Sequence, residues 1–451
     1  MTIATNKKTV ILAVSNYIAS SDLLRTKYLE YLSSKYRVVV LSPILDEARV
    51  IAGGYLRSPE ITYIHRPIEN PRFWEFFKFL RISLVNEFDY LKSVKYFYLR
   101  PNYADNKKRR LFRFFGRPFS RLLTANFFSK IEAWLLPVSK SFKKIIQEYQ
   151  PSVLITATPG FDPWEAELIF LANRESLPTV SVNFSWDNLT MNSKHIRKTD
   201  FMIAWNEIMR KEAIGIHHYS TERVFVSGIP RFDPYFVKDS NEPTREEFLK
   251  SKKLNPNLKT IFHTTVTKAY PFQKKYIRDL IELRNKKQIP YTNLFIRIHP
   301  LDLPENYDEF RGAPDLYIEK AGVGGSRGKV EMSYDDLLNL KYSLKYSDLN
   351  INYASTITIE SSIFDVPVIN IGFLDRFALA YEFTHYEPIY QSGAVRLVKT
   401  DDELPKFINM YLADSGLDRE YRKKIVDEYA QFTDGLSYKR SVDFLEELGN
   451  I

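Results

Sequence analysis

Residues 350–373 read NINYASTITIESSIFDVPVINIGF. Ile351 and Tyr353 predict a buried strand, and Val366 to Ile371 a second one. Between them Ala354-Ser355-Thr356 forms a sharp break, followed by residues that fit a short helix. Ser355 or Thr356 at the start of that helix can cap its orphan backbone amides. Free amides together with the helix dipole make such an end an anion site. Glu360 lies one turn further on, where it can accept from a sugar diol. Upstream, Leu294-Phe-Ile-Arg-Ile-His-Pro300 predicts another buried strand, ending in Arg297, His299 and Pro300. Ligands of open parallel sheets sit at the carboxyl ends of strands. The two strands are therefore expected to be neighbours that hold a nucleotide diphosphate and its ribose.

The chain around this stretch has 451 residues, too many for one core and suited to two domains of about 200 residues each. Its 44% hydrophobic and 26% charged residues are those of a globular protein. The absence of cysteine excludes a disulfide frame, a thiolate zinc site and a cysteine nucleophile. The opening MTIATNKKTVILAVSN has an apolar run too short for a signal peptide, and no run of ~18 apolar residues predicts a membrane span.

Buried-strand patterns alternate with helical spacing along most of the chain. Strands are expected at 9–15, 36–42, 61–65, 153–158, 179–183, 201–205 and 223–227, with one helix over 21–34. The polar run KDSNEP at 238–243 is the expected boundary, and the alternation resumes at 260–265. Strand, helix, strand with short links predicts parallel sheets with crossover helices. The expected domains are thus 1–237 and 238–451, each Rossmann-like, the first binding the acceptor and the second the donor. The first loop, Ser15-Asn16-Tyr17, lacks the glycines of a dinucleotide fingerprint.

Residues 66–150 break the pattern. They hold 18 basic and 7 acidic residues, a net of +11 that exceeds the +9 of the whole chain. Aromatics are interleaved throughout, as in Phe73-Trp74, Phe76-Phe77 and Phe114-Phe115. The segment is expected to be a helical insertion. Its rings either face the sheet, leaving Lys and Arg in water, or form a platform for the headgroups of an anionic membrane. Lys and Arg with stacking rings would also suit single-stranded nucleic acid; no RNA-binding motif accompanies them, so nucleic acid is not an expected partner.

The ordered segments SWDNLT (185–190), AWNEIMRKEA (204–213), RVFVSGIPRFDPY (223–235), RIHP (297–300), YSDLNINYASTITIE (346–360) and TDGLSYKRSVDFL (433–445) carry a resemblance. The chain resembles GT-B glycosyltransferases, bacterial surface-polysaccharide transferases and the CDP-glycerol glycerophosphotransferase group among them. The resemblance implies an α/β GT-B fold of two Rossmann-like domains with a cleft between them. It also implies that His299 contacts the donor phosphate, that Ser355 and Thr356 bind phosphate oxygens, and that Glu360 holds the ribose. Gly228 would let the backbone approach the donor closely. Where the glycerophosphotransferase group shows an Asp-x-Ser-Ser pattern, this chain has Ala354-Ser355-Thr356, which favours sugar transfer.

No Asp-x-Asp of the metal-dependent type ends a strand, and Asp335-Asp336 and Asp401-Asp402 fit helix caps. A metal-independent enzyme must stabilise its leaving diphosphate with amides and cations. Arg297, Lys268 and Arg327 are the candidates. The acceptor hydroxyl needs a general base; Asp162 is the first candidate, Asp187 the second and His65 the third, with turn-forming or capping as their other reading. The expected function is an inverting glycosyltransferase at the cytosolic membrane face. It takes a nucleotide-sugar as substrate, a lipid-linked glycan as acceptor and no cofactor. The alternatives are a CDP-polyol phosphotransferase and a non-catalytic nucleotide-sugar-binding assembly protein.

Overall fold

The computed structural model describes residues 7–99, 107–119, 121–266, 272–322, 330, 332–372 and 380–448. The chain forms two compact units, Met1–Arg231 with Leu436–Ile451, and Phe232–Gly435. The break falls at Arg231/Phe232, a few residues before the polar run. The last helix, Ser437–Leu448, belongs to the first unit, not to the second domain expected from the sequence.

The first unit is built on seven parallel strands: β1 (Thr9–Ala13), β2 (Arg37–Ser42), β3 (Ile61–His65), β4 (Pro151–Thr156), β5 (Thr179–Val182), β6 (Phe201–Ala204) and β7 (Val224–Val226). Their order is β3-β2-β1-β4-β5-β6-β7. The continuous apolar runs reflect burial on both faces of the sheet. Val10, Leu12, Val38 and Val40 pack into one core with Val442 and Leu445 of the last helix. Ile11, Ala13, Val39 and Leu41, alternate along the same strands, pack into another with Trp74, Phe142 and Trp164. The helix expected over 21–34 is two helices, Tyr17–Leu24 and Lys27–Lys35, because the Thr26 hydroxyl accepts from Tyr28 N and starts the second.

Between β3 and β4 the inserted segment forms the helices Pro71–Leu84, Lys107–Gly116, Ala125–Leu135 and Lys140–Tyr149. Phe77, Phe88 and Phe128 share a core of their own. At its heart Glu132, fully buried, accepts from Arg81 Nε at 2.7 Å and from Arg197 Nε at 3.1 Å. Burial alone would raise this carboxyl; the charges of Arg197 and Arg81 outweigh it and hold it below the usual carboxylate range. Among the described residues no helix is long and apolar enough to cross a membrane.

The second unit has six parallel strands: β8 (Thr260–Thr264), β9 (Asn293–Ile298), β10 (Leu316–Lys320), β11 (Leu349–Asn352), β12 (Val368–Ile371) and β13 (Val395–Val398). Their order is β10-β9-β8-β11-β12-β13. The strands of Arg297 and Asn352 are therefore not neighbours; β8 runs between them and pairs with both. Each sheet starts in its middle, fills one side and then the other. The order reverses between β1 and β4 in one sheet and between β8 and β11 in the other, and such switch points leave a crevice at the strand ends.

Candidate functional site

In the second unit the crevice at the switch point is a cavity of about 160 Å³. Its walls include Thr264, Thr265, Arg297, His299, Tyr353 and Ser355, contributed by the ends of β8, β9 and β11. The fold thus brings Arg297, His299 and Ser355 together.

The protonation of His299 is set by its backbone surroundings. Leu301 N donates to His299 Nδ1 at 3.1 Å, so Nδ1 accepts and the ring proton sits on Nε2. His299 N donates to the Thr265 hydroxyl at 2.9 Å, fixing the turn that follows β9. Burial lowers the imidazole pKa to about 4, more than the nearby Asp302 charge can restore. At neutral pH the ring is uncharged and carries one N–H, a donor suited to a phosphoryl oxygen.

Ser355 Oγ accepts from Ile357 N at 3.3 Å, at the start of the seven-residue helix Ile357–Ile363. Thr356 occupies the cap position without a side-chain cap bond. Thr356 and Glu360 do not line the cavity. Glu360 is buried, and its Oε2 accepts from Tyr235 Oη at 2.6 Å, so its carboxylate serves a side chain where a ribose was expected.

Arg297 also departs from expectation. Its guanidinium is buried and bound to Glu319 and to Asp336, the latter at 2.8 Å. Burial would lower its pKa; Asp336 and Glu319 outweigh that and raise it. The cation is therefore permanent but already neutralised, and it does not supply uncompensated charge for a diphosphate. Lys268 and Arg327 lie outside the described residues.

The turn that carries Ser355 rests on a buried polar ladder that sequence reasoning missed. Asn352 Oδ1 accepts from Asn370 Nδ2 at 2.8 Å and from Thr358 Oγ1 at 3.2 Å. Tyr386 Oη reaches Thr358 Oγ1 and Asn370 Oδ1, each at 2.7 Å, and is hydrogen-bonded to the backbone of Ser355. The asparagines were visible as polar breaks in apolar strands; Tyr386 carried no signal.

In the first unit the switch point lies between β1 and β4. Asp162, in the turn after β4, caps the helix Pro163–Arg174 by accepting from Trp164 N at 2.9 Å. One turn on, fully buried Glu165 accepts from Thr158 N at 2.7 Å. The Ser15 hydroxyl, at the end of β1, lies against both carboxyl groups. Burial, then the Asp162 charge, push Glu165 up to about 8; burial raises Asp162 as well. A second pair involves Asp187, which accepts from the Ser185 hydroxyl and starts the helix Asn188–Met191. Glu212 beside it is pushed up to about 8 by burial and then by the Asp187 charge. Glu165 follows Asp162 at helical spacing and could have been suspected; nothing in the sequence marked Glu212. His65 is exposed at the end of the edge strand β3. Gly228, buried after β7, has φ of +85°, a conformation that favours glycine.

Two α/β units, each an open parallel sheet whose strand order reverses at a switch point, define the GT-B fold. No protein-family profile matches the chain, and no curated protein matches it in sequence. Solved structures do. The Neisseria meningitidis UDP-GlcNAc 2-epimerase bound to UDP-GlcNAc is similar with a TM-score of 0.56 and 13% identity, over 97% of this chain and 100% of that one. The wall teichoic acid polymerase TagF, in a structure with CDPG, is similar with a TM-score of 0.52 and 12% identity, over 98% and 89%. A Rickettsia africae glycosyltransferase is similar with a TM-score of 0.50 and 10% identity, over 98% and 99%. At these identities the likeness is one of fold.

Proposed function

We propose that this protein is an inverting, metal-independent glycosyltransferase. It moves a sugar from a nucleotide-sugar to a lipid-linked surface glycan. The observation that carries the reading is the cavity at the switch point of the second unit. There a neutral His299 with its proton on Nε2 and the Ser355 turn converge at the ends of β9 and β11. That chemistry suits the diphosphate of a donor, and Gly228 is the proposed point of close backbone approach.

The acceptor hydroxyl attacks the anomeric carbon as the bond from that carbon to the phosphate oxygen breaks, and the nucleoside diphosphate leaves. The hydroxyl proton passes to a carboxylate of the first unit, Asp162 or Asp187. Burial raises the carboxyl of Asp162, which supports it as the first of the two, since proton acceptors work best with a pKa brought towards the working pH. The fold neighbours include a UDP-GlcNAc-bound epimerase and a polymerase seen with CDPG, which supports nucleotide-linked substrates in general.

Thermal-shift measurement against UDP, GDP, CDP, CMP and their sugars tests the donor site. One nucleoside diphosphate should raise the melting temperature, a ligand at 100 times its Kd adding about 2.7 kcal/mol. His299→Ala should weaken that ligand about tenfold, the loss of one phosphate hydrogen bond. If no nucleotide shifts the wild type, the reading fails. Product analysis then separates the alternatives. Glycosyl transfer releases a nucleoside diphosphate and polyol phosphate transfer from a CDP-polyol releases CMP. An epimerase, which the fold neighbours and the raised carboxyl groups also favour, interconverts nucleotide-sugars with neither release.

A further inference from the structure

We infer that the helices Lys107–Gly116 and Ala125–Leu135, with the residues flanking them, form a docking surface for an anionic lipid bilayer. The inference stands apart from the donor reading, because vesicle binding can succeed or fail without any nucleotide.

The ordinary division of a helix is inverted here. Phe114 is 74% exposed, Phe115 64% and Trp134 81%, and Phe119, Leu122 and Val138 of the same segment are exposed as well. The charged Arg113, on the same turn as Phe114, points inward instead and pairs with Asp89 at 2.7 Å. Asp89 also binds the buried Lys194 at 2.8 Å. The first helix is held from below in other ways too. Phe112 meets Phe79 of the helix Pro71–Leu84 edge to face, 5.3 Å between ring centres. Gly116 lies so close to Leu84 that a Cβ there would clash with its side chain. The second helix is anchored by buried Phe128 and Glu132. Both helices are thus fixed by their inner faces, and the outward rings cannot turn into the core. Isolated apolar residues on a surface need no explanation, but a group of large aromatics does.

Charge selects the occupant. Residues 107–144 contain 11 basic residues and one acidic one, Glu132, which is buried beneath Arg81 and Arg197. Arg117, Arg121, Lys130 and Lys140, interleaved with the rings along the chain, are exposed. Two copies meeting through this face would bring like charges together. An anionic bilayer offers opposite charge for the basic side chains and a headgroup boundary for Phe and Trp.

The test is sedimentation of the full chain with vesicles of phosphatidylglycerol and phosphatidylcholine, against phosphatidylcholine alone. The protein should sediment with the anionic vesicles and be released by high salt. Phe114→Ser with Phe115→Ser should lower the partition coefficient about tenfold or more. If that double variant melts below the wild type, Arg117→Glu with Arg121→Glu, two exposed positions, gives the same readout. Trp134 supplies a second signal. The other four tryptophans, Trp74, Trp164, Trp186 and Trp205, are buried. A blue shift of emission on adding anionic vesicles, and quenching by brominated lipid, therefore report Trp134. No binding to anionic vesicles, binding indifferent to both sets of substitutions, no shift in Trp134 emission, or a dimer that shields Trp134 would each overturn the proposal.

Discussion

A half-buried, neutral imidazole that accepts a backbone N–H on one nitrogen has only the other left to donate. This is the state of His299, and it could not be read from a His-Pro dipeptide, because the accepting role comes from the turn to Leu301. Arg297 shows the opposite outcome. A cation at a strand end looks like a phosphate ligand, yet Glu319 and Asp336, 22 and 39 residues away, already hold it. Glu165 carries a prediction at this scale. Its carboxyl is raised to about 8 in the folded chain, against about 4.5 when unfolded. Folding therefore takes up a proton across that window, and stability falls as pH rises from about 4.5 to 8. Glu165→Gln keeps an acceptor for Thr158 N and removes the titration. The variant should be more stable than the wild type at pH 8 by about 2 kcal/mol or more, with the gap closing towards pH 4.5. Chemical denaturation at the two pH values measures it, and parallel curves would show that Glu165 does not titrate as argued.

At the scale of the element, the short helix of the second unit depends less on its own cap than on what lies beneath it. Its first residues are tied by Thr358 and the Ser355 backbone to Tyr386, Asn352 and Asn370. A buried polar network of this kind is costly when one member is missing. Tyr386→Phe leaves Asn370 Oδ1 and Thr358 Oγ1 without their shared partner and should cost about 1–3 kcal/mol. Because the loss loosens the turn of Ser355, nucleotide-induced thermal shifts should shrink as well. Unchanged stability together with unchanged shifts would detach the ladder from the site. The inserted helices teach the same lesson in reverse. Their composition allowed rings facing inward or outward, and the structure does both, with Phe77 and Phe128 buried and Phe114 and Trp134 exposed. Composition alone could not divide them.

At the scale of the molecule, the chain returns at its end to the unit in which it began. Phe444 stacks on Phe225 with 4.5 Å between ring centres, Val442 and Leu445 enter the first core, and Asp443 takes hydrogen bonds from Tyr31 and Lys35. Phe444→Ala should destabilise the first unit by about 3 kcal/mol or more. Limited proteolysis should then find new cleavage within residues 9–226, more than 200 positions upstream, while strands β8 to β13 keep their protection. Cleavage confined to the second unit would contradict this assignment of the helix.

What the sequence determined by itself was most strands of both sheets and their parallel run, because a central strand buried on both faces is largely apolar, and that pattern is local. The strand ends carrying His299 and Ser355 were legible for the same reason. Tertiary structure alone decided the rest: that β8 runs between the two strands, that Arg297 and Glu360 are occupied by other side chains, that Glu212 is raised beside Asp187, and that the last helix crosses back. Each of these rests on partners distant in the chain. Burial and charge pairing at such range depend on how the layers close, which no stretch of residues contains on its own.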